Sequence, residues 1–210
     1  MQPHGGQPIV SAGAPLEQSR GVVIMVHGRN AGPENILDLV PRLDRPQLAY
    51  AAPAAANRTW YPFPFISEMD KNEPGLSSGL SVLDGLVRKL VTGGVPKSRI
   101  FLLGFSQGAC LASEFAVRHA DRFGGVIVFS GGLIGPPGTV WNYEGAFDGT
   151  PVFLGCSDTD PHIPRGRVEE SAAVFTRMGA KVTTRLYPGM GHLVCDDEIA
   201  AAQEILDAAG

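Results

Sequence analysis

Apolar positions along the chain gather into short unbroken blocks, separated by stretches of helical spacing. Val22-Val23-Ile24-Met25-Val26 is a continuous, mostly β-branched run halted by His27-Gly28, the pattern of a strand buried on both faces. Between residues 33 and 43, Ile36, Leu37, Val40 and Leu43 share one side of a helix, behind a proline suited to a first turn. Residues 48–53 form a weaker strand. Residues 76–91 carry Leu76, Leu80, Leu83, Val87, Leu90 and Val91 on one face, an amphipathic helix closed by Gly93-Gly94.

The alternation repeats. A strand within residues 99–105 is built on Ile100-Phe101-Leu102-Leu103, and a helix of small residues follows at 107–119. Strands at 126–129 and 152–154 precede a helix at 168–178, with Val168, Ala172 and Phe175 on a common face. A strand at 182–187 and a helix at 196–208 complete the pattern, and Asp196, Asp197 and Glu198 suit the dipole of that helix's opening turn. Apolar strands alternating with helices predict an α/β domain, a mainly parallel sheet covered on both faces. No repeat or linker divides the chain, and 210 residues suit one domain. Residues 1–210 are expected to form that single unit, with 1–15 a loosely ordered arm and His4 in a frayed terminus.

Composition chiefly excludes. A formal net charge of −4 offers no basic face for nucleic acid. The 44% hydrophobic and 18% charged residues supply a real core and leave no ground for disorder. Cys110, Cys156 and Cys195 lack CxxC spacing and read as free thiols of a reducing compartment. The opening MQPHGGQPIV lacks a signal peptide's basic start and apolar stretch. The longest apolar runs fall far short of the ~20 residues that span a bilayer, so a cytoplasmic protein without membrane insertion is expected.

In such sheets, function gathers where strands end. Gly104-Phe105-Ser106-Gln107-Gly108 lies between a strand and a helix. A strand turning sharply into a helix crowds the flanking positions, so they must be glycine, and the serine between them is pushed out with its hydroxyl exposed. The Gln107 N–H at the helix start is then free for a developing oxyanion. A serine nucleophile needs a base and an orienting carboxylate. His192 follows the last strand. The loop after the 152–154 strand offers Asp158 and Asp160, of which Asp160 is favoured because Pro161 fixes its loop, while Asp158 suits bracing the turn. The chain order Ser106, Asp160, His192 is that of the α/β-hydrolases. The turn His27-Gly28-Arg29-Asn30 is expected to supply a second oxyanion N–H from Arg29, and His119 to place its charge at a helix end where the dipole favours it.

Residues 57–79 form the one long irregular segment, with Trp60, Tyr61, Phe63 and Phe65 interleaved with Pro62 and Pro64. Alternate prolines forbid a helix and stiffen the loop; Trp60, Tyr61 and Phe65 are expected to wall a substrate pocket, or else to pack on the core. Asp158, Asp160 and His162 share one tight loop with no second ligand set, so no metal is expected. The 131–138 glycine-rich loop lacks a following Lys-Ser/Thr, and no GxGxxG follows a strand, so no phosphate cradle or other cofactor is expected.

The HG turn at 27–28, GFSQG at 104–108, SDTDPHIP at 157–164 and GMGH at 189–192 run in one order over nearly the whole chain. Together they resemble the phospholipase/carboxylesterase family of α/β-hydrolases, which includes acyl-protein thioesterases and small bacterial carboxylesterases. The resemblance implies an α/β-hydrolase fold without a separate lid domain. It also implies Ser106 as nucleophile, Asp160 as acid, His192 as base, Arg29 and Gln107 at the oxyanion hole, and Trp60-Tyr61 near the acyl pocket. The loop HGRNAGPEN differs from the HGLGD-like loop of the thioesterases, which leans toward the carboxylesterases. The expected function is hydrolysis of small to medium esters by a monomer or homodimer; acyl-thioesterase or lysophospholipase activity, and a non-catalytic binding protein, are the alternatives.

Overall fold

The computed structural model describes residues 2–207. Seven strands form one sheet in the order β1-β3-β2-β4-β5-β6-β7. They are β1 (Ile9–Gly13), β2 (Val22–Val26), β3 (Ala49–Pro53), β4 (Ile100–Phe105), β5 (Gly125–Phe129), β6 (Pro151–Ser157) and β7 (Lys181–Tyr187). Only β1 runs antiparallel, paired with β3 at the sheet edge. Every other pairing is parallel.

The helices explain why the strand blocks are unbroken. On one face lie α3 (Gly75–Thr92), α4 (Gln107–Arg118) and α5 (Arg165–Arg177), over a core that includes Ile24, Leu102, Val128 and Leu154. On the other lie α1 (Pro33–Leu37), α2 (Val40–Leu43) and α6 (Asp196–Leu206), over Met25, Leu103, Phe129 and Phe153. Successive strand residues point to opposite faces, and here both faces are covered. Full burial gains each such side chain about 1.5–3 kcal/mol, at or above the ~1–2 kcal/mol cost of ordering its backbone.

Three expectations change. The helix over residues 33–43 breaks into α1 and α2, because Pro41 has no N–H and its ring collides with the carbonyl four residues back. The N-terminal segment is docked: His4 is 3% exposed, and its N–H donates to Ser78 Oγ at 3.0 Å. Its ring accepts from the Ala56 N–H through Nδ1 (3.1 Å) and donates through Nε2 to the Trp60 carbonyl (2.8 Å). The arm then enters the sheet as β1, a strand whose half-exposed IVSAG carries little apolar signal. Finally, His119 stacks on Phe115 at 4.6 Å, and burial pushes its pKa down, so its neutral form is favoured despite the helix end. The last helix is described to Leu206; Ala208 lies outside the described residues.

Candidate active site

The turn from β4 into α4 is fixed by what cannot fit. A Cβ on Gly104 would sit 2.5 Å from the Gly108 carbonyl oxygen, and one on Gly108 only 2.1 Å from that of Val26. The chain therefore passes close to both neighbours, with Ser106 at φ 55°, ψ −122°. Such a conformation costs on the order of 1–3 kcal/mol in a non-glycine residue. It is anchored by the Ser106 N–H, which donates to the Phe129 carbonyl at 2.9 Å.

The outward Ser106 hydroxyl meets His192. His192 Nε2 lies 2.8 Å from Ser106 Oγ, and Nδ1 lies 2.7 Å from Asp160 Oδ2. The carboxylate requires the proton on Nδ1, which leaves Nε2 to accept the serine proton. The other oxygen of Asp160 accepts the N–H groups of His162 (2.8 Å) and Ile163 (3.0 Å). Burial alone would raise the Asp160 pKa, but the hydrogen bonds from His192 and these two N–H groups outweigh it and hold the carboxyl below its ordinary value.

Asp158 has the other duty weighed from sequence. Its carboxylate accepts the Gly189 N–H at 2.8 Å, and Ser157 Oγ accepts the Gly191 N–H at 3.2 Å, so the turn that delivers His192 is tied to the end of β6. His192 is sandwiched further: the Phe105 ring lies at 4.9 Å, and His162 stands edge-on at 4.9 Å. His162 thus lines the site, a role that loop spacing did not reveal.

Arg29 and Gln107 lie beside Ser106 in a cleft of about 420 Å³, and among the described residues neither backbone N–H has a hydrogen-bond partner. The turn holding Arg29 is set by His27, whose Nδ1–H donates to the Gly28 carbonyl (2.8 Å) while Nε2 accepts from Ala55 N–H (3.1 Å). Burial lowers the His27 pKa, so the imidazole is a neutral brace rather than a base.

The cleft's apolar lining includes Tyr61, Phe65, Phe105, Cys110 and Ile163. Trp60 corrects the sequence reading: it is 0% exposed and does not line the cleft. Its indole N–H donates to the His27 carbonyl at 2.9 Å, so the ring is consumed in holding the aromatic segment against the 27–30 turn. Phe63 is 49% exposed and also lies outside the lining. The Gln107 side chain was missed as a structural part: Oε1 accepts the Trp60 N–H (2.9 Å) and Nε2 donates to the Tyr61 carbonyl (2.8 Å). Arg29 grips the same segment, donating to the carbonyls of Pro62 (2.8 Å) and Phe63 (2.9 Å). Behind the Phe65 wall, buried Arg167 lies 5.6 Å from that ring and 4.9 Å from Trp141. Cys110 is buried with its pKa pushed up to about 12, so its thiol stays protonated on the cleft floor.

A strand–serine–helix turn on a mainly parallel sheet, with Asp and His at the ends of later strands, defines an α/β-hydrolase. The chain belongs to the phospholipase/carboxylesterase family, whose profile matches residues 9–209. It is 31% identical over 169 residues to an acyl-protein thioesterase 1 of Eremothecium gossypii, covering 75% of this chain and 68% of that protein. With acyl-protein thioesterase 1 of Neurospora crassa it shares 27% over 144 residues, 65% of this chain and 57% of that protein. The chain thus spans less than two thirds of the Neurospora relative. A crystal structure of a phospholipase/carboxylesterase from Dyadobacter fermentans superposes with a TM-score of 0.92 at 38% identity, over 96% of this chain and 97% of that one. Among the described residues, no helix is long and apolar enough to cross a membrane.

Proposed function

We propose that this protein is a serine carboxylesterase that hydrolyses small to medium esters through an acyl-enzyme. The observation that carries the reading is the unbroken relay Asp160–His192–Ser106, at 2.7 and 2.8 Å, opening into an apolar cleft. His192 takes the proton as Ser106 Oγ bonds to the ester carbonyl carbon. The Gln107 and Arg29 N–H groups receive the oxyanion, and Asp160 keeps His192 in the required tautomer and steadies its cation. His192 then protonates the departing alkoxide. In the second half, the same imidazole activates water to release the acid. The chain's residues supply every group in this cycle, with no part left for a cofactor.

On this reading residues 1–210 work as a single unit, and the proposed setting, a reducing cytoplasm, accords with three free cysteines. The test is hydrolysis of p-nitrophenyl acetate and butyrate by wild type and Ser106→Ala. A loss on the order of 10⁴-fold or more is expected for a serine acting as part of a unit; equal rates remove the proposal. A second reading, acyl-thioester hydrolysis by the same groups, is favoured by the relatives named acyl-protein thioesterase 1. Parallel oxygen-ester and thioester panels with matched acyl chains separate the two.

A further inference from the structure

A second cleft, of about 330 Å³, also borders His192. It shares Gly28, Ala31, Phe105 and His192 with the cleft that holds Ser106, yet Ser106, Arg29 and Gln107 are absent from its lining. Its own walls are mostly apolar, from Ile36, Leu39, Leu193 and Val194, with His27, Asn35 and Arg42 as the further polar groups. Leu193 is 48% exposed, a large apolar side chain left open directly beside the catalytic imidazole.

We propose that this second cleft is the leaving-group subsite, and that it takes an apolar alcohol or thiol ending in a carboxylate, held by Arg42. The assignment rests on the ester-hydrolase reading and adds a direction to it. With the carbonyl carbon at Ser106 and its oxygen toward Arg29 and Gln107, the acyl chain lies over Tyr61, Phe65 and Ile163. The Oγ–carbon bond forms first, placing the oxyanion at the Arg29 and Gln107 N–H groups; as that intermediate collapses the carbon–heteroatom bond breaks, and the proton taken from serine passes from His192 Nε2 to the departing heteroatom. The leaving group must therefore touch His192 without needing the oxyanion donors, which describes the second cleft. Its departure also opens a path to His192 for the deacylating water.

Arg42 selects the anion. Its guanidinium bonds Asp196 at 2.8 Å, but the Asp196 side chain is fully exposed, so that pair is weak and readily exchanged for a ligand carboxylate. The remaining contacts of the guanidinium, to the Val194 carbonyl at 3.4 Å, are long.

The experiment compares acetyl esters of methanol, hexanol and 6-hydroxyhexanoate, together with methyl esters of acetate and hexanoate, as kcat/KM ratios within each protein. Arg42→Gln, a surface change, is expected to lower the ratio of the 6-carboxylate ester to the hexyl ester about tenfold, the size of one charge-assisted hydrogen bond. Leu39→Trp, filling the cleft, is expected to lower the hexyl-to-methyl alcohol ratio while the hexanoate-to-acetate acyl ratio holds. If the acyl ratio shifts instead, or neither ratio moves in a variant that melts cooperatively, the subsite assignment is overturned. Fluorophosphonate labelling at Ser106 keeps the two readings apart: labelling retained with unmoved ratios overturns the subsite alone, and no labelling of wild type overturns the serine mechanism and the subsite with it.

Discussion

At the scale of single residues, the site is made by positions that permit only one occupant. Gly108→Ala would drive a Cβ to 2.1 Å from the Val26 carbonyl and 2.4 Å from that of His27. Backbone on both sides cannot yield cheaply, so a loss of about 3 kcal/mol or more is expected in urea unfolding. Asp160→Asn keeps the volume but substitutes a neutral amide for the carboxylate that dictates the Nδ1 proton of His192. An amide N–H facing Nδ1 selects the wrong tautomer, and kcat is expected to fall by roughly 10³–10⁴ with KM little changed, in steady-state assays. The glycines and the serine were legible because local chain geometry dictates them. The choice of Asp160 over Asp158 rested on one proline, and its physical reason appears only in the fold: Asp158 is spent on the Gly189 N–H.

Among the elements, the aromatic segment is held to the 27–30 turn and the start of α4 by Gln107, Arg29 and Trp60. Gln107→Ala keeps the backbone N–H but strands the Trp60 N–H and the Tyr61 carbonyl, each costing about 1–3 kcal/mol if left unpaired. The expected result is a lower Tm and a raised KM for p-nitrophenyl butyrate, measured by thermal melting and initial rates. Nothing in the run of residues 57–65 announces these partners, since Gln107 lies 46 to 47 positions from the groups it binds and Arg29 33 to 34. The same limit hid β1, whose pairing with β3 joins segments about 40 residues apart, and it hid the docking of His4 beneath Ser78 and Trp60. Helical and strand periods, in contrast, belong to neighbours in sequence; α3 and β2 were readable for that reason.

For the molecule as a whole, one buried carboxyl sets a pH dependence of stability. Glu198 is 0% exposed, and one of its oxygens has no partner among the described residues while the other accepts the Cys195 N–H at 2.9 Å. Burial pushes its pKa up to about 7. Between the ordinary carboxyl value and that point the folded protein binds more proton than the unfolded chain, so stability falls as pH rises through the window and levels off above it. Glu198→Gln removes the titration and is expected to raise stability at pH 8 by on the order of 2–3 kcal/mol, with little effect at pH 5, as read from chemical denaturation at the two pH values. The space for this carboxyl exists because residue 155 is glycine: a Cβ there would lie 2.3 Å from Glu198 Oε1. The sequence by itself determined the alternation of strands and helices, the strained serine turn and the order of its chemical groups, because short-range sterics and periodic burial act between near neighbours. Tertiary structure alone decided that Asp158 is spent on the Gly189 N–H, that Trp60 braces rather than lines the cleft, and that a second cleft opens beside the imidazole, because those contacts join residues that only the packed sheet brings together.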